Sequence, residues 1–407
     1  MQPMRRESPY PMVEVAEAQR IIAAHTPLLD TELIDVLRGD GRVLAEDVFA
    51  PANLPDMPKA AVDGYALRAE DGTAPRRVLA ELTAGAAHHI TIEPGTAVRI
   101  MTGAPVPRGA NAVIMVEQTE EADGMVQVGR ALNAGESIHV VGQDITQSAL
   151  VLARGTTLGF AEIGLLATIG RTRVAAFHQP VVAVLATGDE VFEPDMLPAE
   201  GGIRDSNRYA LLAAARAAGC VAISLGIARD DRDIQRAAIL DGLTRADVLL
   251  TSGGVSMGTR DLIKPLLAEL GTVHFGRVAF KPGKPTTFAT MGAKVAFGLP
   301  GYPVSSLVSF EVFVRPMLRR MQGDTRPERP RVQVVLAEAI HTADRPEYQR
   351  ATVAAEGGQL VARTTGAQGS SRMLSLRDAN ALLVVAPREG GYAAGELIEA
   401  MLTGALR

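Results

Sequence analysis

From residue 180 onward, short apolar runs alternate with helical patterns, and this rhythm constrains the fold more than any other feature of the chain. The runs Val181–Ala186, Val221–Ile227, Val248–Thr251, Val273–Phe275 and Val295–Gly298 alternate with helical stretches near 206–218, 231–242, 259–270 and 303–321. Strands separated by a helix build βαβ units, so the region predicts a doubly wound, mostly parallel sheet covered on both faces. Ligands of such sheets bind at the loops following the strands' carboxyl ends. The most informative loop lies in 247–261, where the run Val248–Thr251 ends in Ser252-Gly253-Gly254 and a helical pattern begins near Gly258–Asp261. Two adjacent glycines turn the chain sharply and leave its N–H groups uncovered, which suits phosphate or another oxyanion. Asp261 adds a hard oxygen ligand of the kind that accompanies phosphate-bound magnesium.

Three further loops carry polar residues at the same sheet edge: Thr187-Gly188-Asp189-Glu190, Asp230-Asp231, and Leu299-Pro300-Gly301-Tyr302-Pro303. Glu190 and Asp261 therefore suit a metal or its waters, and one of Asp230 and Asp231 suits an N-terminal helix cap. Only five of the 41 basic residues are lysine, yet two of them fall in Lys281-Pro282-Gly283-Lys284-Pro285. Compact point charges there fit an anionic ligand, although a solvated turn is the plainer reading. Gly254-Val255-Ser256-Met257-Gly258 matches the hydrolase pattern G-x-S-x-G. An elbow needs the strand to run straight into the motif, and Ser252 and Gly253 intervene. His274 or His341 would have to complete its triad, and neither falls in an obvious loop. Walker A and G-x-G-x-x-G sequences are both absent, so ordinary NTPase and dinucleotide readings lose their support.

The remaining chain divides around this domain. Residues 13–25 and 30–37 read as helices, and prolines at 51, 55 and 58 mark a hinge. Short β-rich runs between Arg76 and Gly159 suggest a small antiparallel domain, with a helix at Phe160–Ile169. Ala61-Val62-Asp63-Gly64-Tyr65-Ala66 and Arg99-Ile100-Met101-Thr102-Gly103-Ala104 read there as polar turns. A proline-rich linker, 323–330, precedes five strand-like runs. The expected organisation is an N-terminal region 1–178 with a β-rich subdomain inserted at about 52–143, an α/β domain 179–325, and a C-terminal β domain 328–407.

Bulk properties narrow the function. The chain has 407 residues, 47% apolar and 21% charged, which fits several filled cores. A net charge of −5, no tryptophan and few aromatics point away from nucleic acid. The single cysteine, Cys220, rules out an internal disulfide and fits a reducing cytoplasm. No apolar run approaches the roughly 20 residues of a membrane helix, and Met1–Met12 lacks a signal-peptide core. The adjacent pair His88-His89 points to opposite faces of a strand, so shared metal binding is not expected.

Taken together, the motifs resemble the molybdopterin molybdenumtransferase family, which takes in bacterial MoeA and the E domain of gephyrin. The resemblance rests on Val62–Ala66, Met101–Pro105, Thr187–Glu190, Asp205-Ser206-Asn207, Thr251–Gly258, Lys281–Pro285 and Leu299–Ser305, in order and spacing. It implies an elongated homodimer that binds adenylylated molybdopterin, molybdate and magnesium, releases AMP and delivers molybdenum to the dithiolene. Carried over by motif, the implied catalytic residues are Asp63, Thr102, Asp144, Glu190, Asp230, Asp261 and Lys281. Substrate contacts are implied for Ser252, Gly253, Gly254, Ser256, Arg277, Lys284, Pro300, Pro303, Arg350 and Ser370, with Arg345 and Ser371 as alternatives to the last two. Glu190 and Asp261 are implied at the metal, with Asp63 and Thr102 reaching in from the other subunit. An upstream adenylyltransferase and downstream cofactor-acceptor proteins are the implied partners. Tyr302 departs from the Asn usual in the family, and Arg277 from the Lys. A non-catalytic scaffold and a phosphoanhydride hydrolase on the same fold are the competing functions.

Overall fold

The computed structural model describes residues 10–85, 89–255 and 262–406. Ser256, Asp261, His88, the helix start near 258–261 and most of Met1–Met12 lie outside these residues. Two compact units are present, Met1–Ala45 with Gly155–Gly159 and Val174–Arg407, and Glu46–Arg154 with Phe160–Arg173.

In the larger unit the apolar runs after residue 180 form one six-stranded sheet. Its order is Val221–Ala228, Val181–Thr187, Val248–Ser252, Lys294–Leu299, Thr287–Met291, Thr272–Phe275. The first four strands are parallel and the last two antiparallel. Side chains alternate between faces, as strand geometry requires. Val182, Val184, Val248, Leu250, Val295 and Phe297 pack into one core, and Ala183, Leu185, Leu249 and Ala296 into the other. Burial on both faces explains why these runs read as continuously apolar.

The helices follow from equally local causes. Asn207–Ala217 buries Arg208, Leu211, Leu212 and Ala215, the spacing of a single helical face. Arg232–Arg245 begins where the Asp231 carboxylate accepts the N–H groups of Asp233 and Ile234, both at 2.9 Å. This settles which aspartate of the pair is the cap. The stretch 303–321 is helical throughout but changes to a wide π turn at Phe310–Val314. Pro316 follows one residue later; it supplies no N–H and crowds the carbonyl four residues back, at Val312, which a wider turn relieves.

The C-terminal strands close into a five-stranded barrel in the order Arg331–Leu336, Gln359–Thr364, Glu347–Glu356, Ala381–Val385, Leu397–Leu402. In the smaller unit a six-stranded sheet runs Ala112–Met115, Gly64–Leu67, Thr96–Ile100, Arg76–Leu82, Met125–Val128, Thr119–Ala122. One of its pairings, Arg76–Leu82 with Thr96–Ile100, is parallel.

Two expectations need correction. Residues 30–37 form the strand Thr31–Asp35, paired with Arg173–Phe177, and then a single tight turn, Val36–Arg38. The Asp35 carboxylate caps that turn by accepting the Leu37 N–H at 2.9 Å, and strand pairing overrides the local helical pattern. Gly64-Tyr65-Ala66, read as a turn, is instead part of the fully buried strand Gly64–Leu67, and Arg99-Ile100, read likewise, ends the strand Thr96–Ile100 that pairs with it. A Cβ on Gly64 would fall 1.7 Å from the Ile114 carbonyl oxygen, so close strand contact requires glycine there.

Candidate active site

Strand Val181–Thr187 sits between its two parallel neighbours, and the connections leaving it and Val248–Ser252 run toward opposite edges of the sheet. That is a topological switch point, where the loops diverge and leave a crevice. A cavity of about 630 Å³ opens there, lined by Gly188, Glu190, Asp230, Ser252–Val255, Pro300–Pro303 and the 203–207 segment, among others.

The walls depend on glycine. Gly253 and Gly254 adopt φ values of +95° and +65°. A Cβ on Gly253 would meet the Thr187 carbonyl and hydroxyl oxygens at 2.9 Å, and one on Gly254 would meet Ile263 Cγ1 at 2.8 Å. Gly188 has φ +136°, and the Glu190 carboxylate folds over it so closely that a Cβ would meet Oε2 at 2.6 Å. Gly301 faces the Gly253 Cα across the crevice at 3.7 Å from its ideal Cβ position. Asn207 ties these loops together: its Nδ2 donates to Ser252 Oγ and to the Gly301 carbonyl, each at 2.7 Å. Its Oδ1 is buried without a partner among the described residues. Asn207 also opens a helix, so that helix's positive end abuts the cavity.

Glu190 and Asp230 are the acidic groups of the sequence reading that the cavity brings together. The Asp230 N–H donates to Asp189 Oδ1 at 3.1 Å, and Gln235 Nε2 donates to Asp230 Oδ1 at 3.3 Å. Asp205 also lines the wall, but its carboxylate is engaged by Arg208, whose Nε donates to Oδ2 at 2.6 Å. Burial pulls the Arg208 pKa down, yet Asp205 and Glu193 outweigh it and hold the guanidinium above its ordinary value. This buried pair fixes the 193–208 segment against the sheet. Arg204 is the one cationic side chain among the described lining residues.

The lysine loop lies elsewhere. Of Lys281–Pro285, only Pro285 lines the cavity. Lys281 is tied to the barrel: its N–H donates to the Pro346 carbonyl at 2.9 Å, and its carbonyl accepts the Tyr348 N–H at 2.8 Å. Its ammonium stands 3.0 Å from Glu347 Oε1, a carboxylate buried in the barrel wall. Arg350, on the same strand, is wholly buried; burial pushes its pKa down to about 10, and Glu347 pulls the other way. Its Nε donates to Ser375 Oγ at 3.1 Å and its Nη2 to the Gly369 carbonyl at 3.3 Å. The Ser370 carbonyl accepts the Val304 N–H at 3.1 Å, which ties the barrel to the start of helix Pro303–Ser309. The carbonyls of Arg277 and Lys284 accept the N–H groups of Val13 and Val278. None of Arg277, Lys281, Lys284, Arg350 and Ser370 is in the cavity wall.

In the smaller unit, Asp63 Oδ1 accepts the Thr102 N–H at 2.6 Å and its hydroxyl at 2.8 Å. Those two bonds hold the Asp63 carboxyl below its usual range. Asp144 lines a second hollow with Lys59, Gly103, His139 and Gln143. His274, the candidate triad partner, lies 2.9 Å from Thr290 Oγ1 and stacks on His25 with centroids 3.9 Å apart. Sequence reasoning missed Arg204 as a wall residue, although its place just ahead of Asp205-Ser206-Asn207 at a helix start was a usable signal.

A crevice at the switch point, walled by glycine loops and acidic side chains, places the chain among doubly wound α/β proteins, whose ligands bind in such crevices, with an appended barrel. Comparison with known proteins narrows the class. Residues 13–170 match the MoeA N-terminal region (domain I and II), 183–320 the probable molybdopterin binding domain, and 333–403 the MoeA C-terminal region (domain IV). Bacillus subtilis molybdopterin molybdenumtransferase is 33% identical over 98% of this chain and 95% of its own length. Dictyostelium discoideum gephyrin is 36% identical over 98% of this chain, which spans 63% of that protein. The crystal structure of the molybdopterin biosynthesis MoeA protein from Pyrococcus horikoshii superposes with a TM-score of 0.80 at 31% identity, over 97% of this chain and all of that one. The chain belongs to the molybdopterin molybdenumtransferase family.

Proposed function

We propose that this chain inserts molybdenum from molybdate into adenylylated molybdopterin, cleaving the phosphoanhydride and releasing AMP. The observation that carries this reading is the switch-point cavity, which joins a double-glycine anion seat to Glu190 and Asp230. The Gly254 N–H and the amino end of helix Asn207–Ala217 bind the diphosphate, while the Gly253 N–H, held by the Leu299 carbonyl at 3.1 Å, fixes the loop. Arg204 adds positive charge at the same wall. The unpartnered Asn207 Oδ1 accepts a hydrogen bond from a ring N–H or amino group of the pterin.

The donor set fits magnesium. Among the described residues, no three of His, Cys, Asp or Glu gather into a protein-only cage. Magnesium instead takes one or two carboxylates beside substrate phosphates, and Glu190 and Asp230 supply them, with Asp261 as a further ligand in the reading. When bound, the ion neutralises charge on the phosphoanhydride and polarises it. Lys281, held by Glu347, presents its ammonium to molybdate or phosphate, with Lys284, Arg277, Arg350 and Ser370 as further substrate contacts. Two copies of the chain assemble, Asp63 and Thr102 act in trans, and Asp144 is a further catalytic residue. The reading places the protein in the cytoplasm, and no described helix is long and apolar enough to cross a membrane.

The test is to supply adenylylated molybdopterin with magnesium, with and without molybdate. Transfer gives AMP together with metal-loaded cofactor. AMP released independently of molybdate would show a hydrolase, and binding with neither product would show a scaffold. Mixing Asp63→Ala chains with Glu190→Gln chains restores activity if the residues act in trans; no recovery after verified subunit exchange would remove that part of the proposal.

A further inference from the structure

Tyr302 is the one aromatic among the described residues lining the cavity, in a chain with only 4% aromatic residues. It is 61% exposed, although it belongs to the wall of a concave site. Its hydroxyl has no hydrogen-bond partner among the described residues. Tyr209, the other exposed tyrosine, differs: its ring lies beneath the Arg208 guanidinium and its hydroxyl is 3.4 Å from Glu193.

The backbone that carries Tyr302 is held on every side. The Gly301 carbonyl accepts from Asn207 at 2.7 Å, and the Tyr302 carbonyl accepts the Ser306 N–H at 3.0 Å. The Val304 N–H is tied to the Ser370 carbonyl, and Pro303 fixes the intervening φ. A ring with no partner of its own, on a backbone with little freedom, is arranged in advance to receive something flat. Pro285, Pro300 and Pro303 line the same cavity, apolar surfaces that favour a ring over a sugar.

We propose that Tyr302 is a stacking platform at the cavity mouth for a planar heteroaromatic ring of the substrate, adenine or pterin. The inference rests on the function proposed above and names which part of the ligand this residue reads. Stacking uses the π face, which both rings share, so its strength reports ring contact and not phosphate charge.

The experiment measures binding of AMP, ribose 5-phosphate and a simple pterin to the full chain, together with KM and kcat for adenylylated molybdopterin. Tyr302→Ala is expected to weaken one of the two ring ligands about tenfold, leave ribose 5-phosphate unaltered, and raise KM with little change in kcat. Loss of AMP affinity assigns the platform to the nucleobase; loss of pterin affinity assigns it to the pterin. Tyr302→Phe, which keeps the ring, restores the affected affinity. A folded Tyr302→Ala chain that binds both rings like the parent, or loses ribose 5-phosphate equally, overturns the platform while the parent's turnover leaves the transferase reading standing. A parent chain that binds neither ring and transfers no molybdenum overturns both.

Discussion

The sheet rim and the barrel seam both gather charge, but by opposite physical means. At the rim, Glu190 and Asp230 border an open cavity whose shape is set by glycines and backbone N–H groups. At the seam, Glu347 and Arg350 are shut inside the protein, and Lys281 is bound to the barrel by its backbone and its ammonium alike. The rim carboxylates line a cavity, whereas the seam charges also tie the lysine loop to the barrel. Substitutions should therefore separate: rim changes cost turnover, and seam changes cost stability first.

The largest expected effect is at the rim. Glu190→Gln keeps the carboxylate's shape without its charge and should lower AMP release by about a hundredfold or more, with melting unchanged. Assayed by product release and calorimetry, a variant with near-parent turnover would remove Glu190 from the chemistry. Next comes the seam, where Glu347→Ala removes the carboxylate that pairs with Lys281 and offsets part of the burial of Arg350. Denaturant unfolding should show a loss of about 3 kcal/mol, and an unchanged midpoint would mean the seam is not structural. The adjacent aspartates give a sharper contrast within one loop. Asp231→Ala removes a helix cap and should cost about 1 kcal/mol of stability with turnover kept. Asp230→Asn should do the reverse, and similar behaviour of the two would erase the distinction.

The smallest effect is a titration. Because Thr102 holds the Asp63 carboxyl low, its bonds stabilise the fold above the ordinary carboxylate pKa and lose that effect as pH falls through the depressed value. Thr102→Val should raise the Asp63 titration midpoint, as followed by carbon NMR. An unmoved midpoint would show that the hydroxyl does not govern Asp63 and that the retained N–H bond alone holds it low.

Much of this was legible before any coordinates. An apolar run followed by two glycines can hardly be other than a buried strand entering a tight turn, so the rim announced itself. The whole-chain match and the mixed α/β architecture agree with the motif reading. What the pattern concealed were features decided at a distance. Thr287–Met291 was missed as a strand because its threonines and alanine interrupt the apolar signal, yet it pairs antiparallel with Lys294–Leu299 and packs Phe288 and Ala289 to opposite faces. Residues 30–37 have helical composition but find a strand partner more than a hundred positions away. Arg204 stands beside one motif and Tyr302 inside another, but that they share a wall is visible only once the loops meet.

Asn207 has a consequence that reaches beyond its own contacts. One carboxamide grips Ser252 after one strand and Gly301 after another, so the two banks of the crevice are set to a single gauge. A neutral replacement at position 207 would release both banks at once and alter the girth of the slot without altering its charge. Size selection in this protein is thereby separable from the chemistry that follows.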